Sequence, residues 1–155
     1  MEWMMYINGN WTKGDLEKTY ETLNPYDGSH LAYIYESSER DTLEAIKAAK
    51  YSFYNDRSWR DMDSQTRGDI LLKIADILES RKEEFARLEV LDNGKPLREA
   101  ECDVDDAVHN FRYYASLIKA PYGGVYDVNE GFGKMHSYTV HEPTGVCALI
   151  TPWNY

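Results

Sequence analysis

The chain has 155 residues, 43% of them apolar, and a formal net charge of −10 from 17 Lys and Arg against 27 Asp and Glu. These values predict one globular domain and argue against a nucleic-acid surface, which needs clustered basic residues. No apolar run reaches the roughly 18 residues that a membrane helix needs, and the two cysteines and an N-terminus without signal-peptide features predict a cytoplasmic protein.

The first 35 residues predict β structure. Met5–Ile7 and residues 11–12 flank Asn8-Gly9-Asn10, and the Asn-Gly pair favours the tight turn of a β-hairpin. Residues 22–28 have the composition of a turn, and residues 31–35 are rich in the aromatic and β-branched types that favour strands. We therefore expect a hairpin, then a turn, then a single strand.

Three long helices are predicted next. Ser38 and Asp41 have the spacing of a capping box, which places the start of the first helix. Apolar residues recur every three or four positions over residues 65–91 and again over residues 97–118, which predicts the second and third helices. Asn93-Gly94-Lys95-Pro96 separates them, because Gly adopts the left-handed cap and Pro cannot continue a helix.

The end of the chain predicts β structure again. Residues 137–141 are β-prone, and residues 145–150 form an almost wholly apolar run. Such a run is typical of a parallel strand that is covered on both faces. Because a strand of this kind needs neighbours, we expect its partner strands to lie downstream of Tyr155 or in another chain.

No catalytic motif stands out from residue types alone. Cys102 lies among acidic residues, which disfavour a thiolate, and Cys147 lies in the apolar run, where a small core residue is expected. The histidines lack the spacing of metal ligands. The acidic cluster Asp103, Asp105 and Asp106 has two interpretations: a solvated helix start, which composition favours, or a patch that attracts cations near a substrate entrance.

Six segments together resemble the N-terminal part of the NAD(P)-dependent aldehyde dehydrogenase superfamily. In chain order they are Tyr6-Ile7-Asn8-Gly9-Asn10-Trp11, Asn24-Pro25-Tyr26-Asp27-Gly28, Asp92-Asn93-Gly94-Lys95-Pro96, Phe111-Arg112-Tyr113-Tyr114-Ala115, His141-Glu142-Pro143-Thr144-Gly145-Val146 and Ile150-Thr151-Pro152-Trp153-Asn154-Tyr155. Their order and spacing match the family along essentially the whole chain.

The resemblance implies an α/β fold, the N-terminal part of the family's cofactor-binding domain. Its elements would be a β-hairpin, three long helices, an oligomerisation β segment and the first parallel strand. Residues 1–136 would belong to the cofactor-binding domain, residues 137–144 to the oligomerisation segment, and residues 145–155 to the first strand of the dinucleotide-binding sheet.

The resemblance also implies roles for the last residues of the chain. Ile150, Thr151, Pro152 and Trp153 match a segment that passes along the bound NAD or NADP. Asn154 matches an amide side chain that helps to form the oxyanion hole. A fixed N–H donor is needed there, because thiolate attack on an aldehyde creates a tetrahedral oxyanion.

A substrate subclass and a cation site are implied in the same way. The acidic cluster followed by Phe111-Arg112-Tyr113-Tyr114-Ala115 resembles the betaine-aldehyde and aminoaldehyde branch. Asp106 and Tyr155 match residues that hold a cationic amine in that branch, as a carboxylate and an aromatic face can do. The backbone of Thr22 and the carboxylate of Asp92 match positions around a structural monovalent cation.

The family's cysteine nucleophile, glutamate base, phosphate-binding lysine and Gly-containing cofactor turn match no position in these 155 residues. The resemblance therefore implies the front third of an enzyme that oxidises an aldehyde, with betaine aldehyde as the candidate, through a Cys thioester. We expect the chain alone to be inactive and not to bind NAD(P), since a thioester mechanism without a thiolate lacks its first step.

An alternative from a different class is a non-catalytic oligomerisation or interaction module. In this interpretation the β segment at residues 137–150 pairs with another copy of the chain or with a full-length enzyme, because strand edges without partners invite pairing. We also expect the helices to pack against one another, and a second subunit to cover the strand at residues 146–150.

Overall fold

The structure is a computed structural model that describes residues 2–120, 123–131 and 133–152. Within these residues the α-helices are α1 (Glu39–Tyr51), α2 (Ser64–Ser80), α3 (Lys82–Asn93) and α4 (Leu97–Lys119), and a short π-helix (Ser52–Asp56) directly follows α1. The strands there are β1 (Glu2–Trp3), β2 (Met5–Ile7), β3 (Asn10–Thr12), β4 (Thr19–Leu23), β5 (His30–Tyr35), β6 (Val125–Glu130) and β7 (Gly133–Tyr138). In this part of the chain no helix has the length and apolarity to cross a membrane.

The first five strands build two small sheets. β2 and β3 form the predicted hairpin, with Asn8 and Gly9 in its turn at φ values of 51° and 78°. In the other sheet β5 is central, parallel to β1 and antiparallel to β4. The turn predicted from residue 22 begins only at Asn24, because Thr22 and Leu23 still pair with β5 across a register shift. The strand β4 was therefore not predicted.

The helical layer is formed by α2, α3 and α4, with α4 packed along the other two. Four alanines, Ala75, Ala86, Ala100 and Ala115, are completely buried in this layer. Small side chains of this kind let helix backbones approach closely where the ridges of one helix enter the grooves of another. The prediction that the helices pack against one another is confirmed for the second and third predicted helices, whereas α1 packs against β2.

The helix predicted over residues 65–91 is in fact two helices, α2 and α3, which meet at Arg81. The backbone of Arg81 leaves the helical region, with φ −111° and ψ 19°. Its guanidinium donates hydrogen bonds of 2.8 and 2.5 Å to Glu84 and lies 5.1 Å from the ring centre of Phe85, both in the first turns of α3. The apolar periodicity continues across this break, so the pattern alone predicts one helix.

The prediction of a parallel strand over residues 146–150 is wrong. Residues 139–152 contain no helix or strand, and the side chains of Leu149 and Ile150 are 89% and 91% exposed. A strand is held by hydrogen bonds to its neighbours, and no strand in the described ranges pairs with this segment. Cys147, predicted as a core residue, is exposed for the same reason. Cover by a second subunit stays a prediction.

The oligomerisation segment predicted over residues 137–144 overlaps only the end of an antiparallel hairpin, β6–β7. Val125 lies opposite Tyr138 and Asn129 opposite Lys134. Every residue of β7 is exposed, and within the described residues each strand of the hairpin pairs only with the other. The strand β6 was not predicted, and the hairpin presents two open edges.

Candidate functional site

A cleft of about 670 Å³ opens between the three-stranded sheet and the helical layer. We call it the sheet–helix cleft. Its apolar lining includes Trp3, Leu31, Ile34, Leu78, Phe85, Leu88, Leu91, Val104 and Ala107. Four polar side chains, those of Thr22, Glu89, Asp92 and Asp103, also line it. This size and this mixture of apolar surface with few polar groups are typical of ligand sites.

Thr22 and Asp92, the two residues predicted to surround a cation, lie together in this cleft. The hydroxyl Oγ1 of Thr22 donates a hydrogen bond of 2.8 Å to Oδ1 of Asp92. Thr22 is on β4 and Asp92 is in the last turn of α3, 70 positions later in the sequence. No ion pair to Asp92 is found in the described part of the chain.

Two turns in contact hold β4 against the end of α3. Asn24, only 9% exposed, organises the turn after β4: two backbone amides of that turn donate to its oxygens, at 3.0 and 2.8 Å. Gly94 caps α3 with φ 78° and faces Pro25, so that an added Cβ would lie 2.9 Å from the Cγ of Pro25. This contact explains how Thr22 comes to face Asp92.

Lys95, which follows the cap, is the centre of an ion-pair cluster. Its side chain is only 9% exposed, and Nζ donates to Oε1 of Glu89 at 2.6 Å and to Oδ2 of Asp103. The hydrogen bonds to Asp103 and then to Glu89 raise the pKa of Lys95 above its ordinary value. Because Glu89 is on α3 and Asp103 is on α4, Lys95 joins these two helices beside the cleft.

The chemistry of the cleft suits a hard cation. Carboxylate, carbonyl and hydroxyl oxygens are the ligands that hard cations prefer. The family resemblance implied the backbone of Thr22 as a ligand, whereas the contact to Asp92 that the structure shows is made by the Thr22 hydroxyl. Asp92 is the one carboxylate of the cleft lining without an ion pair among the described residues, since Glu89 and Asp103 are paired with Lys95. Within the same residues, no group of three or more His, Cys, Asp and Glu side chains is arranged to hold a metal. One carboxylate without an ion pair supplies the single negative charge that a singly charged cation would need.

The other predicted site residues do not line this cleft. Asp106 is exposed on α4, one turn after Asp103. Ile150, Thr151 and Pro152 are exposed in the irregular segment. Trp153, Asn154 and Tyr155 lie outside the described residues, so their predicted roles are untested by the structure.

A second, smaller groove of about 280 Å³ lies where the irregular segment reaches the end of α1. Residues 145–147 line it together with Phe53, Trp59 and Arg60. The guanidinium of Arg60 lies 4.8 Å from the ring centre of Phe53, which is a favourable cation–π distance. The apolar run that was predicted to be a strand therefore begins in the groove that holds this cation–π pair.

Residues 11–155 match the Aldehyde dehydrogenase family. The chain belongs to this family. Betaine aldehyde dehydrogenase of Bacillus subtilis is 36% identical over 155 residues, which are all of this chain and 31% of that protein. Mitochondrial aldehyde dehydrogenase of Homo sapiens is 37% identical over 152 residues, which are 97% of this chain and 29% of that protein.

Solved structures of this family have the same fold. A betaine aldehyde dehydrogenase from Staphylococcus aureus in complex with NAD+ matches with a TM-score of 0.78 and 33% identity, over 83% of this chain and 25% of that one. An NAD+ complex of an aldehyde dehydrogenase from Bacillus cereus matches with a TM-score of 0.76 and 38% identity, over 81% and 26%. The chain spans about 30% of the length of these curated aldehyde dehydrogenases and has the α/β fold of the N-terminal part of their NAD-binding domain.

The sequence did not predict the Lys95 cluster. Glu89 precedes Lys95 by six positions and Asp103 follows it by eight, which is no helical spacing of ion pairs. The three side chains meet because the turn at Gly94 folds α4 back along α3. The only local signal is a lysine directly after a capping glycine, and that signal predicts the end of a helix rather than a cluster.

Proposed function

We propose that this chain is the N-terminal part of a cytoplasmic enzyme that oxidises an aldehyde to its carboxylic acid with NAD or NADP. The observation that carries the proposal is the family match over residues 11–155, supported by the fold shared with NAD+-complexed relatives. The cofactor, when bound, accepts the hydride that the aldehyde carbon loses. The chain's own contribution is to position the cofactor and to stabilise charge on the aldehyde oxygen.

Within the chain we assign these tasks to the last segment. Residues 150–153 would lie along the cofactor, and the exposure of residues 150–152 leaves them accessible to it. The side-chain amide of Asn154 would donate a hydrogen bond to the aldehyde oxygen. That oxygen gains negative charge when a nucleophile attacks the carbonyl carbon, so a fixed donor stabilises the transition state more than the substrate.

We propose betaine aldehyde as the substrate, with Asp106 and Tyr155 holding its cationic head. Two of the relatives above are named betaine aldehyde dehydrogenases. Asp106 supports the proposal because its carboxylate is exposed on α4 and has no ion pair in the described part of the chain. A quaternary ammonium group cannot donate hydrogen bonds, so a free negative charge and an aromatic face are the groups that recognise it.

We also propose that Thr22 and Asp92 bind a monovalent cation with a structural role. Their 2.8 Å hydrogen bond and the unpaired charge of Asp92 support this assignment. A cation held there would link β4 to the last turn of α3, two elements that are distant in the sequence. It would thereby stabilise the wall of the sheet–helix cleft.

The test of the enzymatic proposal joins residues 1–155 to the remaining part of the Bacillus subtilis relative. We expect this chimera to reduce NAD+ when betaine aldehyde is added, measured by NADH absorbance. Asp106→Asn should lower kcat/KM for betaine aldehyde but leave that for a neutral aldehyde unchanged. A folded chimera that oxidises no aldehyde contradicts the proposed function, whereas equal losses for both aldehydes contradict only the role of Asp106.

We further propose that the 155 residues alone neither oxidise aldehydes nor bind NAD(P), and that they self-associate through residues 137–150. The open edges of the β6–β7 hairpin and the exposed Leu149 and Ile150 support association, because such edges pair readily. Light scattering at increasing concentration should show dimers or larger species, and a monomer throughout argues against this surface. Saturable NADH production by the isolated chain contradicts the proposed inactivity.

A further inference from the structure

The sheet side of the sheet–helix cleft is polar at one edge and apolar at the other. Thr22 of β4 lies opposite Ala32 of β5. Ile34 follows two residues later on β5 and lies opposite Trp3 of β1. All four residues line the cleft, as expected of cross-strand pairs and of alternate residues on one strand, which share a face of the sheet. Because β4 and β1 are the two outer strands, about 10 Å of apolar floor separates Thr22 from Trp3.

The helix side of the cleft has the same polarity. Phe85, Leu88 and Asp92 follow one another along α3 at spacings of three and four residues, so they share one face of that helix, and all three line the cleft. At the rise of an α-helix, the stretch from Phe85 to Asp92 is about 10 Å long. Asp92 meets Thr22 through their hydrogen bond. The polar groups of both sides therefore lie together, and apolar side chains extend away from them on both sides.

The polar end offers one negative charge and free acceptor capacity. Oδ1 of Asp92 accepts the hydrogen bond of 2.8 Å from the Thr22 hydroxyl. In the part of the chain that the structure describes, no donor contacts Oδ2 of Asp92 and no cation is paired with it. The Thr22 oxygen donates its proton to Asp92 and keeps lone pairs that accept a hydrogen bond. A cation with several N–H donors can therefore contact both residues at once.

We propose that the sheet–helix cleft binds a small organic ammonium ion, namely a primary amine on an apolar chain or ring. Its ammonium group lies on Asp92 and Thr22, and its apolar part lies along the rest of the lining, between Phe85 and Ile34. The inference rests on the charge that the cation site proposed above assigns to Asp92, and it extends that site to organic cations. A primary ammonium suits the site better than a quaternary one, because it donates three hydrogen bonds.

The size and the exposure of the cleft support such a ligand. Its volume of about 670 Å³ is within the range of small-molecule sites. Trp3, Leu88 and Leu91 are 42%, 41% and 42% exposed, so apolar surface is available for a ligand to cover. The other two carboxylates of the lining are already paired with Lys95. Asp92 is thus the acceptor that charge complementarity assigns to the ligand.

The test titrates the 155-residue chain with n-hexylammonium chloride in isothermal titration calorimetry. Two matched ligands are 1-hexanol, which lacks the charge, and hexyltrimethylammonium chloride, which has the charge but no N–H donor. We expect hexanol to bind about tenfold or more weakly than hexylammonium, and the trimethyl compound to bind several-fold more weakly. Each methylene group added between butylammonium and hexylammonium should tighten binding about two- to fourfold, because the apolar lining covers it.

Two variants locate the ammonium group. Asp92→Asn should weaken hexylammonium binding about tenfold or more and leave hexanol binding unchanged. Asp127→Asn, at an exposed position of the β6–β7 hairpin outside the cleft lining, is the control and should change neither. Thr22→Val keeps the shape of the side chain and should weaken hexylammonium binding several-fold, which decides the matter if Asp92→Asn does not fold. Equal affinities of hexylammonium and hexanol, or of the wild type and the folded cleft variants for hexylammonium, overturn the proposal.

The outcomes separate this inference from the cation site. The readout for that site is the thermal midpoint in sodium chloride, with choline chloride at equal ionic strength as the control. A sodium shift that depends on Asp92, without hexylammonium binding, overturns only the present inference. Hexylammonium binding that depends on Asp92, without a sodium shift, supports the inference and contradicts the inorganic cation site.

The same titration excludes a polypeptide as the occupant of the cleft. The chimera proposed above should bind hexylammonium as tightly as the 155-residue chain does. If only the 155-residue chain binds it, the remaining polypeptide covers the cleft and the inference is overturned. Loss of hexylammonium binding as the chain dimerises assigns the cleft to a second copy and overturns the inference as well.

Discussion

Gly94 is the position where one added methyl group tests both the fold and the cleft. Gly94 and Gly9 have the same φ of 78°, but their surroundings differ. An added Cβ on Gly9 meets nothing within 4 Å, whereas on Gly94 it would lie 2.9 Å from the Cγ of Pro25. Gly9→Ala is therefore a matched control, which shares the backbone strain of Gly94→Ala but lacks the steric contact.

The expected free energies of unfolding follow from these two effects. Alanine in the left-handed region costs about 1–2 kcal/mol. Because alanine has fewer conformations than glycine in the unfolded chain, about 0.4–1 kcal/mol of this cost is offset. Gly9→Ala should thus destabilise the protein by about 1 kcal/mol. Forcing the Pro25 ring away adds about 1–3 kcal/mol, so Gly94→Ala should cost about 2–4 kcal/mol.

Urea denaturation followed by circular dichroism measures both variants, and a double-mutant cycle isolates the contact. Pro25→Ala removes Cγ and leaves Cβ, which is 3.7 Å from the added methyl group, an ordinary contact distance. In the Pro25→Ala background, Gly94→Ala should therefore cost no more than Gly9→Ala does in the wild type. If Gly94→Ala is as mild as Gly9→Ala in the wild type, the two turns do not pack as described.

Three further predictions concern the core, a helix cap and pH. Val104 lies in the buried cluster of α3 and α4, so Val104→Ala should lower the free energy of unfolding, measured in urea, by about 1.5–3 kcal/mol. Val125 is 76% exposed, so Val125→Ala is the control and should lower it by less than about 0.5 kcal/mol. Ser38→Ala removes the side-chain acceptor for the Asp41 amide and should cost about 1 kcal/mol by the same assay, while equal stability contradicts the cap. Hydrogen bonds from Ser38, chiefly its backbone amide, lower the pKa of Asp41. The Asp41 carboxylate therefore stabilises the protein above its ordinary pKa, and this stabilisation is lost as the pH falls through the lowered pKa of the folded state. On acidification, the urea midpoint of Asp41→Asn should fall less steeply than that of the wild type.

Local patterns predicted the elements whose cause is local. The Asn8-Gly9 turn, the Ser38 capping box and the Gly94 cap all depend on the preferences of neighbouring residues, and each is present in the structure. The break at Arg81 was missed because no Gly or Pro marks it and the apolar periodicity continues across it. The prediction of a strand at residues 146–150 was wrong. The composition of this segment favours a buried strand, but within the described residues no strand lies beside it.

In the candidate site too, some features could be predicted from the sequence, and others depend on tertiary packing. Thr22 and Asp92 were predicted from the family resemblance, and the structure places them in hydrogen-bond contact. The Lys95 cluster beside the cleft was not predicted, because Glu89, Lys95 and Asp103 come together only through the fold of α3 against α4. Residue types and spacing identify groups that are able to bind, whereas the partners that neutralise them depend on tertiary packing.

The most direct measurement of the enzymatic role is the kcat of the chimera with Asn154→Ala. If this chain supplies the oxyanion donor of an aldehyde-oxidising enzyme, removing the amide should lower kcat about 10²–10³-fold and leave the affinity for NAD+ unchanged. Asn129→Ala, at an exposed position of the β6–β7 hairpin, is the control and should keep full activity. A kcat for Asn154→Ala equal to that of the unaltered chimera would contradict the assignment of this chain to the catalytic site.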